Sequence, residues 1–208
     1  MLADASESFS RERLEKQQPN QLTKIRPAPL CQLMETNANS YANANFCLSC
    51  GARLDLASDR EGKLRPVCPA CGWTYYKNPV PAVAMLVLND RRELLLVKRI
   101  FEPNPGEWAL PSGYMEIYLS PEENASAELR EETGLEGKIG HFIGWHFGYS
   151  PVVEKVLSLC FRMDITGGTL QAGDDAAEAR FFPLDALPPI AFESHRQFVH
   201  QETGLRVK

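Results

Sequence analysis

The chain has no surplus of positive charge: 22 Lys and Arg stand against 27 Asp and Glu, a net charge of −5. That balance disfavours broad, nonspecific binding to nucleic acid. No apolar run is long enough to span a bilayer, so no membrane partner is expected. The first ten residues include Asp4 and Glu7 and lack the apolar segment of a secretory leader. The expected location is cytoplasmic. Cysteine is sparse, six in 208 residues. What the chain does have is 44% hydrophobic residues, enough for a proper core, and a length that holds one full domain plus a small module.

Four of the six cysteines form two Cys-x-x-Cys pairs. Cys47 and Cys50 are separated from Cys68 and Cys71 by 17 residues, inside the spacing window of a zinc ribbon. Gly51 and Gly72 follow the pairs directly, where a tight turn needs freedom in φ. Four thiolates close a tetrahedral sphere, which is a structural rather than a catalytic zinc site. Two disulfides are the alternative. Without a secretory leader they are disfavoured, and Cys31 and Cys160 have no evident partners. Cys160 sits in an apolar run and reads as a core thiol.

Three segments follow from composition and pattern. Residues 1–45 are polar and rich in Gln and Asn, with Pro19, Pro27 and Pro29. They read as a mostly disordered extension with one short helix near 10–18. Residues 46–78 are the zinc module, and Trp73, Tyr75 and Tyr76 are expected to pack it onto the next domain. Residues 79–204 are the main domain. There, the near-continuous apolar run 82–88 reads as a strand buried on both faces. Further strands are expected at 93–99, 108–110, 138–147, 154–165 and 179–182. Asn89-Asp90 and Gly167-Gly168 mark turns, and a last helix is expected near 192–201. Mixed strands with helices on both faces predict an α/β class, an α/β/α sandwich.

The densest pattern in the chain surrounds one helix. Ser120 is a good N-cap, Pro121 suits the first helical position, and Glu123 completes a capping box. Gly134 stops the helix. Glu128, Glu131 and Glu132 fall at i, i+3 and i+4, which gathers three carboxylates on one face. Like charges so placed repel. Either the helix is an ordinary acidic surface with Arg130 among its glutamates, or a hard divalent cation offsets the charge.

The loop before the helix decides between these readings. The segment resembles the signature of the Nudix hydrolases, Gly-x5-Glu-x7-Arg-Glu-U-x-Glu-Glu-x-Gly-U, where U is a bulky aliphatic residue. Gly113, Glu128, Leu129, Glu131, Glu132, Gly134 and Leu135 match in register. Leu119 and Ala127 depart from it, standing where the family has Glu and Arg. The resemblance implies that those two residues pair to pin the loop to the helix. Replacing both by apolar residues is compatible with folding, but leaves the glutamates less firmly oriented.

The resemblance implies a Nudix fold and Mg²⁺- or Mn²⁺-dependent hydrolysis of a nucleoside diphosphate linked to another moiety. Glu128, Glu131 and Glu132 would hold the metal, with a backbone carbonyl at 112–113 as a further candidate ligand. The general base varies within the family, so Glu132, Glu178 and Glu116 are all candidates. Glu178 has a solvated carboxylate as its alternative reading, and Glu116 a surface role. Arg99 is expected to meet a substrate phosphate or to be a surface arginine. Trp145, Phe147 and Tyr149 suit base stacking, a place in the core or a β-surface stripe. The segments 78–79, 110–116 and 191–192 resemble zinc-ribbon members that act on FAD or ADP-ribose. The Ser-Gln-Pro-Trp array of the NADH enzymes is missing. A homodimer is a further expectation of the likeness.

Two other function classes are compatible with the sequence. One is a weakened Nudix domain that senses or scaffolds a nucleotide, motivated by Leu119 and Ala127. The other is a nucleic-acid- or protein-binding zinc ribbon. The mixed charge and few aromatics of residues 53–67 argue against it.

Overall fold

A computed structural model describes residues 44–59, 61–173 and 175–208. The expected helix at 10–18 and Cys31 lie outside them. The chain divides into two compact units that meet at Tyr76 and Lys77.

The first unit is built on two matching turns. The Cys47 amide donates to the Ala52 carbonyl and Gly51 N–H returns to Cys47 O; Cys68 and Gly72 repeat this with Trp73 and Cys68 O. Gly51 and Gly72 have φ of 74° and 75°, the left-handed conformation that glycine adopts without steric cost. Between the turns, β1 (Asp55–Ser58) pairs antiparallel with β2 (Leu64–Val67). Among the described residues its buried core is Cys47, Leu54 and Cys68, with Trp73 and Tyr75 packed on it. Trp73 and Tyr75, expected to dock the module onto the next domain, thus serve the module's own core.

The second unit holds seven strands and two helices: β3 (Val80–Val87), β4 (Leu94–Arg99), β5 (Trp108–Ala109), β6 (Ser112–Tyr114), α1 (Pro121–Thr133), β7 (Leu135–Ser150), β8 (Glu154–Gly168), β9 (Ala176–Phe182) and α2 (Glu193–Thr203). They form a four-stranded sheet in the order β6-β3-β8-β7 and a three-stranded sheet in the order β5-β4-β9. The first is mixed, because β3 runs parallel to β8 and antiparallel to β6. In β3, Val83, Met85 and Val87 face one core with Ala125 and Leu129 of α1. Ala84 and Leu86 face the other, with Phe198 and Val199 of α2. The alternation repeats in β4, where Leu95 joins the first core and Leu94 and Leu96 the second. Helices therefore cover both faces, giving the expected α/β/α layering.

Strand ends differ from expectation. β7 and β8 pair from Leu135↔Gly168 to Ser150↔Glu154, so Gly167-Gly168 continues a strand instead of turning. Register shifts near Gly137, His141 and Gly144 absorb the length, as bulges do.

Candidate functional site

α1 is fixed at both ends by its own sequence. Ser120 Oγ accepts from Glu123 N at 3.2 Å, and Glu123 Oε2 accepts from Ser120 N at 2.8 Å. Gly134 is left-handed at φ 68°, and its N–H reaches Arg130 O. The next carbonyls are satisfied from outside the helix. Thr169 N donates to Gly134 O, Gln171 N to Thr133 O and Gly173 N to Glu132 O. The segment after β8 thereby runs back along the helix terminus, where unpaired carbonyls otherwise remain.

The three helical carboxylates occupy different environments. Glu132 is buried and accepts from Ser112 N at 2.8 Å. Glu128 is half-buried against Gly113. Glu131 is exposed. Burial pushes the Glu132 carboxyl up to about 8, opposed by the Ser112 N–H and reinforced by the charges of Glu128 and Asp175, while Arg99 draws it down. Burial also pushes Glu128 up to about 7, helped by Glu131, Asp175 and Glu116. Five carboxylates therefore share one field.

Asp175 belongs to no motif in the sequence, yet its charge acts on both Glu128 and Glu132. It is brought to the site because the 169–173 segment is tied to the end of α1. Its only sequence signal was an acidic pair before an apolar strand, which is too common to single out.

The loop preceding α1 is held by a residue that the motif does not mention. Asn124 is buried, with 2% exposure. Its Oδ1 accepts from Glu116 N at 2.8 Å, and its Nδ2 donates to the carbonyls of Leu119 and Ser120 at 3.1 and 3.0 Å. Leu119 is partly solvent-exposed. The loop is thus pinned to the helix without a charged pair at 119 and 127. A buried Asn within a helix, where its propensity is poor, was the available clue.

Arg99 is neither free nor plainly superficial. Its Nε donates to Pro103 O at 2.8 Å and Nη2 to Phe101 O at 3.1 Å. The guanidinium lies 4.8 Å from the Phe192 ring centroid. Burial lowers its pKa, against the pull of Glu132. Glu178 lies within β9, paired with Lys98 Nζ at 2.9 Å. Lys98 holds its pKa below the usual carboxylate value, and Glu178 is not among the groups acting on Glu128 or Glu132. Trp145, Phe147 and Tyr149 are all exposed at alternate positions of β7, a surface stripe.

The cysteines form a separate cluster. Their four Sγ atoms all lie within 4.8 Å of one another, with Cys47–Cys71 at 3.7 Å and Cys50–Cys68 at 3.5 Å. A disulfide needs about 2.05 Å. Tetrahedral zinc, with bonds of about 2.3 Å, sets sulfurs about 3.8 Å apart. The cluster has the dimensions to hold such an ion. Among the described residues no carboxylate group is gathered as tightly. Mg²⁺ does not require it, since it retains several waters and uses few protein carboxylates.

Comparison with known proteins agrees with this geometry. The NUDIX domain matches residues 78–201. An ADP-ribose pyrophosphatase of Methanocaldococcus jannaschii is 40% identical over 124 residues, 58% of this chain and 72% of that protein. The NAD-capped RNA hydrolase NudC of Pseudomonas aeruginosa is 32% identical over 195 residues, 85% of this chain, which spans 66% of that protein. A NUDIX hydrolase crystal structure from Nitrosomonas europaea superposes with a TM-score of 0.65 at 27% identity, covering 78% of this chain and 95% of that one. With the signature helix, its glycine-led loop and the layered fold all in register, the chain belongs to the NUDIX hydrolase family.

Proposed function

We propose that this protein hydrolyses the diphosphate bond of a nucleoside diphosphate linked to another moiety, with ADP-ribose the favoured substrate type. The observation that carries the reading is the gathering of acidic groups around Glu128 and Glu132, where burial first and the neighbouring carboxylates second push the two carboxyls up to about 7 and about 8. A divalent cation suits that set: the donors are all carboxylate oxygens, the preference of Mg²⁺ and Mn²⁺. Glu128, Glu131 and Glu132 are the residues to hold it, with Glu116 and Asp175 in reach of the same charge. When bound, the cation neutralises the diphosphate and makes a water more acidic.

The chain's own groups supply the rest. Ser112 N–H engages one oxygen of Glu132, and the carboxylate beside the proposed cation is placed to take the proton of the attacking water. The water oxygen bonds to phosphorus as the bridging P–O bond breaks, and the leaving phosphate departs with that electron pair. Glu178, neutralised by Lys98, is the poorer base. Arg99, anchored by two loop carbonyls, offers its charge to the site's field and steadies the 100–106 loop. The four cysteines are assigned to a structural Zn²⁺, which closes the first unit without a vacant position.

The preference for ADP-ribose over FAD rests on likeness to the Methanocaldococcus protein. Likeness to NudC keeps NADH and NAD-capped RNA within the test. The Asn124 bonds that hold the loop favour the hydrolase over the sensor reading. Purified protein assayed with ADP-ribose, FAD, NADH and NAD-capped RNA should turn over ADP-ribose best, and only with Mg²⁺ or Mn²⁺. Loss of an outer-sphere partner alone costs about 10- to 100-fold, so Glu131→Gln and Glu132→Gln should each lower kcat by more than about 100-fold. Full activity in either variant, or calorimetry without cation uptake, would overturn the proposal.

A further inference from the structure

His195 is a buried histidine outside the carboxylate cluster, in the first turn of α2, with 4% exposure. Its Nδ1 accepts a hydrogen bond from Leu110 N at 3.1 Å. Its ring meets Phe192 edge-on with centroids 5.0 Å apart. Burial, with the nearby positive charge of Arg99, His146 and Arg196, holds its pKa down at about 3, so the ring is neutral. With Nδ1 accepting, the ring proton resides on Nε2.

The bond completes an interrupted ladder. Ile190 bridges Trp108 in parallel, and Ala191 N donates to Trp108 O at 2.8 Å. On the same edge the next group to satisfy is Leu110 N. The ladder's next carbonyl, that of Ala191, accepts instead from Arg196 Nη1 at 3.3 Å. His195 Nδ1 takes the carbonyl's place. Leu110 is fully buried, so no water substitutes.

The position of that amide matters. β5 belongs to the three-stranded sheet and β6 to the four-stranded one. The chain passes between sheets at Leu110 and Pro111, with Pro111 O accepting from Met85 N at 2.9 Å. Directly after the passage, Ser112 N holds Glu132 and Gly113 abuts Glu128. We propose that His195 is a positioning residue for the acidic ridge: by holding Leu110 N at the crossover, it sets where Ser112 and Gly113 present themselves to Glu132 and Glu128. Its effect on turnover rests on the diphosphatase reading above; its effect on the loop does not.

Asparagine and glutamine at position 195 separate this role from general packing. Asn Oδ1 lies where imidazole Nδ1 lies, whereas the Gln oxygen sits one bond further out, near Nε2. Both variants bury a neutral amide. His195→Asn should keep Mn²⁺ affinity by calorimetry, kcat, and amide-exchange protection at Leu110 and Ser112 within about threefold of the parent protein. His195→Gln should lose protection at both amides and bind Mn²⁺ about 10-fold more weakly, a typical outer-sphere effect. Its kcat should fall in step, with KM for the nucleotide within about threefold. Equal behaviour of the two folded variants would overturn the proposal, as would undisturbed Ser112 exchange in His195→Gln. Should His195→Gln fail to fold, loss of Ser112 protection or Mn²⁺ affinity in folded His195→Asn overturns it. A parent protein without turnover would sink the diphosphatase reading, and the amide exchange would still decide the role of His195.

Discussion

An added Cβ at Gly113 would lie 2.0 Å from Oε1 of Glu128 and 2.4 Å from Oε2. No atom pair tolerates that separation, so the Glu128 carboxylate would have to swing away. It is the far end of a flexible side chain, and swinging it costs the fold little. The same addition at Gly173 would lie 1.6 Å from the backbone oxygen of Glu131, which cannot move without unmaking the helix end. These two glycines thus serve different ends: Gly113 leaves room for a functional group and Gly173 for a structural approach. Gly113→Ala should therefore keep its melting temperature within a few degrees while the Mg²⁺ concentration for half-maximal activity rises about 10-fold or more, the scale of a misplaced ligand shell. A melting curve with metal titration checks both halves. Unchanged metal dependence in a folded Gly113→Ala protein would contradict the placement of Glu128.

At the scale of elements, α1 was readable because its determinants are local. The N-cap, capping box and glycine stop all act within a few residues of one another, and helix 121–133 forms between them. The same locality made the Cys-x-x-Cys turns legible. What could not be read is what distant segments bring. His195 meets Leu110 across 85 positions, and Asp175 arrives only because residues 169–173 bind the end of α1. β7 and β8 overran their expected limits because each supplies the other's backbone partners, a cooperative pairing that no single strand's pattern encodes. The loop before α1 is the instructive middle case. Its missing Glu–Arg pair was visible, but the replacement was not, since Asn124 works through backbone groups of Glu116, Leu119 and Ser120. Installing Leu119→Glu with Ala127→Arg should therefore change kcat by less than about threefold in the parent protein, a pair near the surface contributing little. In an Asn124→Ala background, where kcat should first drop about 10-fold, the pair should recover most of the loss. A large gain in the parent protein would show that Asn124 does not hold the loop.

For the whole molecule, the buried acids tie stability to pH and to cations. Glu128 and Glu132 have folded-state pKa values of about 7 and 8, above their ordinary 4.5. Between 4.5 and those values the folded protein binds more protons than the unfolded chain, so stability falls as pH rises through the window. Other shifted groups act elsewhere. Asp59, Glu123 and Glu178 are lowered from already acidic values, so their contributions change only below about pH 6. His195, with its pKa at about 3, adds stability as pH rises through the unfolded imidazole's midpoint at about 6.5, a contribution that fades over the next pH unit. From pH 6.5 to 8 the two glutamates thus dominate among the acids and histidines. Protein free of Mg²⁺ and Mn²⁺, with Zn²⁺ supplied to the four-cysteine cluster, should melt at progressively lower temperature across that interval. Glu132→Gln removes the larger contribution and should flatten the slope. On the proposed function, Mg²⁺ binds the deprotonated carboxylates of the folded state and so stabilises it. Its addition should therefore raise the melting temperature of the parent protein more at pH 8 than at pH 6.5, and that of Glu132→Gln far less. Melting curves at the two pH values, with and without Mg²⁺, give four numbers per protein. A parent protein that grows more stable toward pH 8 without Mg²⁺, with the same trend in Glu132→Gln, would mean that the acids are not held as close as the fold brings them.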